Sequence, residues 1–352
     1  MKNNRLLYIL VSLLIIWCIG LTVYVSKEYT TSESQTINKY NITGFSTDFT
    51  KIVEESSPSI VSINNNGIVS SGFVYTQEDD TVYVLTSYHG VADSNSLMVY
   101  FKNGFNTIGE VVGYDAFLDL AVLKINSPYL VEPLKIGNAS LISSGEFVIS
   151  IGTPISTDYS NSVELGMVSK QVYTISNSIN IDIEKHDYYL DVIQLSANLK
   201  PGYSGSPIIN MNGEAIGLLT MNIDKGINFA ITINETRMVA DSIIKGEQIN
   251  RKHIGIKGSY VNDMPMFERS NLNFSVETTY GLYVQNVLDN SFAHQADIKQ
   301  GDVILSINGN ELNSFVDYLN IEYSNTEYFE FVILREGETL TSRIDINNDQ
   351  NN

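Results

Sequence analysis

Pro201-Gly202-Tyr203-Ser204-Gly205-Ser206-Pro207 sets one serine between two glycines. Glycine lets the backbone turn tightly around a reactive hydroxyl. Such a turn can aim the amides of Gly202 and Ser204, with Tyr203 between them, at one point, as an oxyanion hole requires. Gly and Ser also build ordinary turns, so this run alone is a weak signal. Residues upstream of it decide its meaning.

The chain has four histidines: His89, His186, His253 and His294. His89 follows the apolar run Val82-Tyr83-Val84-Leu85 and closes Leu85-Thr86-Ser87-Tyr88-His89. Asp119 sits in Phe117-Leu118-Asp119-Leu120-Ala121-Val122-Leu123, a carboxylate among apolar side chains. A buried carboxylate needs a partner, and an imidazole N–H supplies one. Nucleophile, base and orienting acid thus occur in the order His89, Asp119, Ser204, which is the chymotrypsin order rather than that of subtilisin or the α/β-hydrolases. Each residue has an ordinary reading alone. His89 can end a strand, and Asp119 can cap a turn. His186 lies in the polar run Asp182 to Asp187 and reads as solvated, and His294 falls in a later region. Only the three together point to nucleophilic catalysis.

The surroundings are rich in short strand-like runs. Ile60 to Ile63, Gly72 to Tyr75, Val82 to Leu85, Leu97 to Tyr100, Leu120 to Ile125, Phe147 to Ile151 and Gly217 to Met221 alternate with turn-formers such as Asn64-Asn65-Asn66-Gly67. Many short strands at this spacing predict an all-β barrel or sandwich. Thr236 to Lys245 has helical spacing and closes the region.

A second region begins near His253. It holds Gly281-Leu282-Tyr283-Val284, a short helical piece over Phe292 to Ala296, the run Gly301-Asp302-Val303-Ile304, a helix over Phe315 to Tyr323 and a strand over Tyr328 to Arg335. The polar tail, residues 347–352, reads as disordered.

Composition narrows the function classes. The 352 residues carry a net charge of -19, so a phosphate backbone is repelled and nucleic-acid binding is not expected. The lone Cys18 excludes an intrachain disulfide, and no His/Cys cluster has metal-ligand spacing, so neither metal nor cofactor is expected. Leu6 to Val25 is almost wholly apolar and long enough to span a bilayer, with Lys2 and Arg5 before it. A cleavable signal peptide is the rival reading, but no alanine precedes Ala92 to mark a cleavage site. The sequence therefore divides into a cytoplasmic stub (1–5), a transmembrane anchor (6–25), a Ser/Thr/Asn-rich linker (26–48), a β-rich domain (49–245), a second domain (246–346) and the tail, with the bulk outside the cell membrane.

Residues 49–345 resemble the HtrA/DegP family of extracytoplasmic serine proteases in its membrane-anchored form. The motifs are Thr86-Ser87-Tyr88-His89-Gly90, Asp119-Leu120-Ala121-Val122-Leu123, Gly202-Tyr203-Ser204-Gly205-Ser206-Pro207 and Asn228-Phe229-Ala230-Ile231. The resemblance implies a mainly β chain: a trypsin-like double six-stranded β-barrel, then one PDZ domain. It implies a serine endopeptidase acting on misfolded or regulatory proteins, and a homotrimer with Phe45 and Phe49 as candidate contacts. Ile227, Asn228, Phe229, Ala230 and Ile231 are expected to pair with the substrate backbone and wall its pocket. That run has no acidic residue, which fits small or medium aliphatic side chains rather than Lys or Arg. His253-Ile254-Gly255-Ile256 resembles the PDZ loop that captures a peptide's C-terminal carboxylate. A purely structural role for that domain is the alternative.

The sequence departs from the family at Gly90, at Leu195-Ser196-Ala197 (usually Thr-Asp-Ala), at Tyr203 (usually Asn) and at Ser206 (usually Gly). Tyr203 is expected to crowd or gate the cleft. The departures leave a second reading open, a catalytically weak protease-like sensor or scaffold acting through its PDZ domain.

Overall fold

The computed structural model describes residues 42–346 except 93, 95–96, 182–183, 198, 221–226, 250, 266–267 and 270–277, together with 14 and 17. The anchor, apart from residues 14 and 17, and most of the linker lie outside the described residues, as does the tail. Among the described residues no helix is long and apolar enough to cross a membrane.

Residues 42–48, read as the end of the linker, instead open helix α1 (Ile42–Ser56). Its buried Ile52 packs into the protein core. The chain then enters a closed barrel of β1 (Ile60–Asn65), β2 (Ile68–Glu78), β3 (Thr81–Ser87), β4 (Leu97–Phe101), β5 (Asn106–Asp115) and β6 (Leu120–Asn126), in the order β1-β2-β3-β6-β5-β4. The first hairpin follows from its turn. Asn65 pairs with Ile68, leaving Asn66 and Gly67, both at positive φ, as a two-residue loop.

A second set comprises β7 (Lys135–Ile136), β8 (Phe147–Gly152), β9 (Ser162–Ile181), β10 (Glu184–Leu195), β11 (Pro207–Ile209), β12 (Glu214–Leu219) and β13 (Asn228–Thr232). Its order is β11-β8-β9-β10-β13-β12-β7, and a β11–β12 pairing closes six of these strands into the second barrel. The β9–β10 hairpin was not legible in the sequence. Its alternating polar residues read as a solvated run, and His186 in fact lies on β10 opposite Ile179.

Strand β6 explains how the barrels join. A continuous apolar run is buried on both faces. Ala121, Leu123 and Ile125 point into the first barrel, while Leu120 and Val122 enter a core shared with Ile149, Val192, Leu218 and Ile231 of the second. Asp119 stands at the head of this strand, at the junction.

Helix α3 (Ile233–Lys245) closes the barrels. It starts three residues before the sequence reading because Thr232 caps it, its side chain accepting from the Glu235 amide. Gly246, at φ +69, ends it by donating to Ile243 O.

The C-terminal domain is a sheet ordered β14 (Ile256–Tyr260), β15 (Leu282–Val287), β16 (Val303–Ile307), β18 (Tyr328–Arg335), β19 (Glu338–Asp345), with β17 (Asn310–Glu311) beside β16. Helices α4 (Phe292–Gln295) and α5 (Phe315–Glu322) complete it. Its core includes Val284, Ile304, Leu312, Phe329 and Phe331. Asp302 of the Gly301-Asp302-Val303-Ile304 run is a structural acid, 1% exposed. Arg335 grips both its oxygens, Nε to Oδ1 at 2.7 Å and Nη2 to Oδ2 at 2.8 Å. Phe315 of α5 is buried with Val168, Ile193 and Leu195 of the second barrel. Asn286 Nδ2 donates to Tyr189 OH across the same interface. The two domains are therefore packed together.

Candidate active site

His89 sits in a one-turn helix, α2 (Tyr88–Val91), directly after β3. Tyr88 N donates to Asp119 O, and His89 N donates to Asp119 Oδ1, both at 2.8 Å. These bonds register the turn after β3 against the head of β6. His89 Nδ1 then lies 2.6 Å from Asp119 Oδ2. Thr220 Oγ1 donates to that same oxygen at 2.8 Å. With the imidazole Nδ1–H as donor, the carboxylate accepts from three groups. That arrangement holds the imidazole tautomer with its other nitrogen free to act as a base. The glycine after His89 is required by space: a Cβ on Gly90 would meet Ser70 Cβ at 2.8 Å.

Ser204 arrives from the second barrel. Its carbonyl accepts from Ser71 N on β2 at 2.9 Å, and Gly205 N donates to Leu219 O at 2.8 Å. Gly205, at φ +83, presses so closely on the first barrel that a Cβ would lie 2.2 Å from Ser71 O and 2.7 Å from Ser87 N. The nucleophile loop is thus wedged between Ser71 and Ser87, two residues from His89. The serine hydroxyl makes no hydrogen bond with His89 or any other described residue.

Gly202 adopts φ +100, and a Cβ there would meet Thr153 O at 2.2 Å. Tyr203 N is used within the loop, donating to Lys200 O at 3.1 Å. Among the described residues, the amides of Gly202 and Ser204 donate to nothing, as an oxyanion hole requires.

Tyr203 does not gate the cleft. Its side chain turns into the second barrel, 3% exposed, among Val148, Val168, Ile208 and Ala230. Burial pushes its hydroxyl up to about 12. The barrel has room because Gly152 faces it: a Cβ there would meet Tyr203 Cδ1 at 2.7 Å. Ser206 is also accommodated, its hydroxyl bonded to Ser150 Oγ at 2.8 Å. At Leu195-Ser196-Ala197, Ser196 Oγ accepts from Met167 N at 2.9 Å and Ala197 O accepts from Asn228 Nδ2.

Residues 227–231 divide by their pairing. Ala230 and Ile231 pair with Ile193 and Val192 of β10 on one edge and with Leu219 and Leu218 of β12 on the other. A strand with both edges occupied cannot add a substrate strand at those residues. Asn228 and Phe229 pair with Leu195 and Gln194 of β10, and among the described residues β12 pairs with neither of them on the other edge. Asn228, Phe229, Ala230 and Ile231 are buried, and Ile227 packs partly buried against the shared core. Thr220 was missed in the sequence, because a lone threonine after a strand carries no local signal.

The PDZ loop is built as a turn, with Gly255 at φ +84. Ile254 O accepts from Ala293 N, and Gly255 O from Leu288 N. The Ile254 amide donates to Glu322 Oε1 at 3.1 Å. His253 faces the protease domain, its ring 5.0 Å from Phe117 and 6.3 Å from Tyr188. Burial, reinforced by the Arg251 charge, pushes it down to about 3.

Comparison with known proteins agrees with this architecture. Residues 70–218 match the trypsin-like peptidase domain, and residues 242–321 match the PDZ domain. The serine protease Do-like HtrA of Bacillus subtilis (strain 168) is 30% identical over 329 residues, an alignment covering 85% of this chain and 72% of that protein. A serine protease HtrA-like of Staphylococcus epidermidis is 28% identical over 359 residues; the match takes in 94% of this chain but only 59% of that relative's length. The solved HtrA-type protease AlgW, with tripeptide, is 25% identical with a TM-score of 0.58, covering 84% of this chain and 96% of that one. Fold and site define a trypsin-like peptidase domain joined to a PDZ domain. Within that class, the chain belongs to the HtrA family of serine proteases.

Proposed function

We propose that this chain is a serine endopeptidase in which Ser204 attacks the scissile carbonyl and His89 moves the proton. His89 takes it from the hydroxyl and returns it to the leaving amine. Asp119 orients the imidazole and stabilises its charged form. The amides of Gly202 and Ser204 receive the oxyanion. The single supporting observation is the three-donor clasp on Asp119 beside a serine loop seated across both barrels. We place the catalytic domain outside the cell, held by residues 6–25. Its substrates are misfolded or regulatory exported proteins, and the PDZ domain takes their C-terminal peptides. Association into a trimer is supported by the exposed apolar stripe of Val163, Leu165 and Met167 on β9. Phe49, one candidate contact, packs edge-on against Phe147 of its own chain, and the Phe45 side chain is outside the described residues.

The test is cleavage of an unfolded model protein by the full chain beside its Ser204→Ala variant. Cleavage abolished by the substitution supports the assignment, and equal cleavage by both sinks it. One observation favours a second reading, that of a weak protease-like sensor: Ser204 Oγ makes no hydrogen bond to His89. Apo sites often tighten only with substrate bound. No labelling of Ser204 by a serine-reactive phosphonate, with C-terminal peptides present, would select the sensor reading.

A further inference from the structure

Arg251 lies in the segment that joins α3 to the PDZ domain, and its side chain is only 6% exposed. Its guanidinium contacts Asp115 Oδ2 at 3.2 Å and Glu235 Oε1 at 3.4 Å. Nη1 donates to Asp115 Oδ1 at 3.2 Å, and Nε donates to Tyr323 OH at 2.5 Å. Tyr323, just past α5, donates in turn to Glu235 Oε1 at 2.8 Å. His253 stands beside this cluster, and Asp191 and Glu322 are further carboxylates near Glu235.

Asp115 does more than pair with this arginine. It ends β5, and its Oδ1 also accepts from Leu118 N at 2.9 Å. That bond closes the turn of residues 115–119, whose last member is Asp119. The turn is held from a second side at Phe117. The Phe117 ring packs between Tyr188, at 5.1 Å, and His253, at 5.0 Å, and its carbonyl accepts from Tyr188 OH at 2.9 Å. Asp119 itself sits at φ +53. That left-handed conformation is uncommon for a residue with a Cβ, although Asp tolerates it better than most. Part of the restraint comes from Arg251 and His253, which belong to the interdomain segment rather than to either barrel.

We infer that Arg251 is a positioning residue for the reaction: acting through Asp115, it fixes the turn that presents Asp119 to His89. This rests on Asp119 belonging to the catalytic triad. The segment leading into the PDZ domain is thereby part of the support of the active site.

The experiment compares full-length Arg251→Lys, Arg251→Gln, Asp115→Asn, Glu235→Gln and Ser204→Ala. Kinetics are measured below each variant's unfolding temperature and normalised to folded protein. Arg251→Gln and Asp115→Asn are expected to lower kcat by about 10- to 100-fold with KM little changed, as a misplaced catalytic group does. Both should also displace the downfield proton resonance of the His89 Nδ1–H, which reports its bond to Asp119. Arg251→Lys should recover part of the loss. Glu235→Gln touches the same arginine but not the turn, and should lower thermal stability while leaving kcat intact. Should Arg251→Gln fail to fold, Asp115→Asn and Arg251→Lys carry the comparison. An unmoved resonance with wild-type kcat in Asp115→Asn overturns the inference, and so does an equal kcat loss in Glu235→Gln. Ser204→Ala separates the two assignments: if it still cleaves, the triad is what fails.

Discussion

Ser71 Oγ donates to the Gly202 carbonyl at 2.7 Å, joining β2 of the first barrel to the loop that precedes the nucleophile in the second. The same hydroxyl accepts from Thr153 N at 2.8 Å, while Ser71 N holds Ser204 O and Ser71 O accepts from Thr86 Oγ1 at 2.6 Å. Every polar atom of this fully buried serine is engaged. It fixes the carbonyl of Gly202, the residue whose amide, one peptide earlier, is a proposed oxyanion donor. Ser71→Ala should therefore lower kcat by up to about 100-fold while leaving the His89–Asp119 bond in place. Steady-state kinetics and phosphonate acylation rates would check this, and wild-type values in both would refute it.

Tyr203 anchors the nucleophile loop from inside the second barrel. Tyr203→Phe keeps the ring and should be nearly silent in stability and activity. Tyr203→Ala leaves a cavity and should destabilise by about 3–5 kcal/mol, the usual range for removing a buried ring. Urea unfolding of the two variants gives the comparison.

Two interface groups set opposite pH dependences. Burial, reinforced by Glu235, pushes the Glu322 carboxyl from 4.5 up to about 8. Between those values the folded protein holds a proton that the unfolded chain has lost, so stability falls as pH rises. His253 is shifted from 6.5 down to about 3. The unfolded chain takes up that proton first, so stability falls as pH drops below 6.5. Glu235, which burial raises from 4.5 to about 7, adds to the Glu322 trend. From 4.5 to 6.5 His253 opposes both carboxyls, and between about 7 and 8 Glu322 acts alone among these three. Unfolding free energy should decline over that upper window by at most about 1.4 kcal/mol per pH unit. Glu322→Gln should flatten the decline, as urea titrations at several pH values would show.

Glu322 also occupies the Ile254 amide in the loop expected to receive a peptide carboxylate. Glu322→Ala should free that donor and tighten binding of a hydrophobic C-terminal peptide by roughly 2- to 10-fold, the worth of one hydrogen bond. Fluorescence anisotropy with free-acid and amidated peptides distinguishes carboxylate capture from general apolar contact. Weaker binding of the free acid to the variant would contradict this assignment.

What was legible in the sequence was local. His89, Asp119 and Ser204 each stand in a short motif, and strand runs such as Val82 to Leu85 declare themselves by composition. Most of the missed features depend on contacts between segments far apart in the chain. Nothing near Tyr203 announces that Gly152 has left space for its ring. Ser71 and Thr220 are ordinary hydroxyl residues until the barrels meet. That Ala230 and Ile231 have both edges occupied is invisible in composition, because β-propensity does not reveal a strand's neighbours. The β9–β10 hairpin escaped notice because its polar alternation suits a solvated segment as well as a strand.

Strand β6 sends alternate side chains into the first barrel and into the core shared by both. Neither barrel can then lose its packing while the other keeps its own. The two should melt as one cooperative unit, with amide protons of β6 among the slowest to exchange. Partial unfolding that takes one barrel and spares the other is closed to this architecture. On heating, cleavage should be lost together with the structure of both barrels.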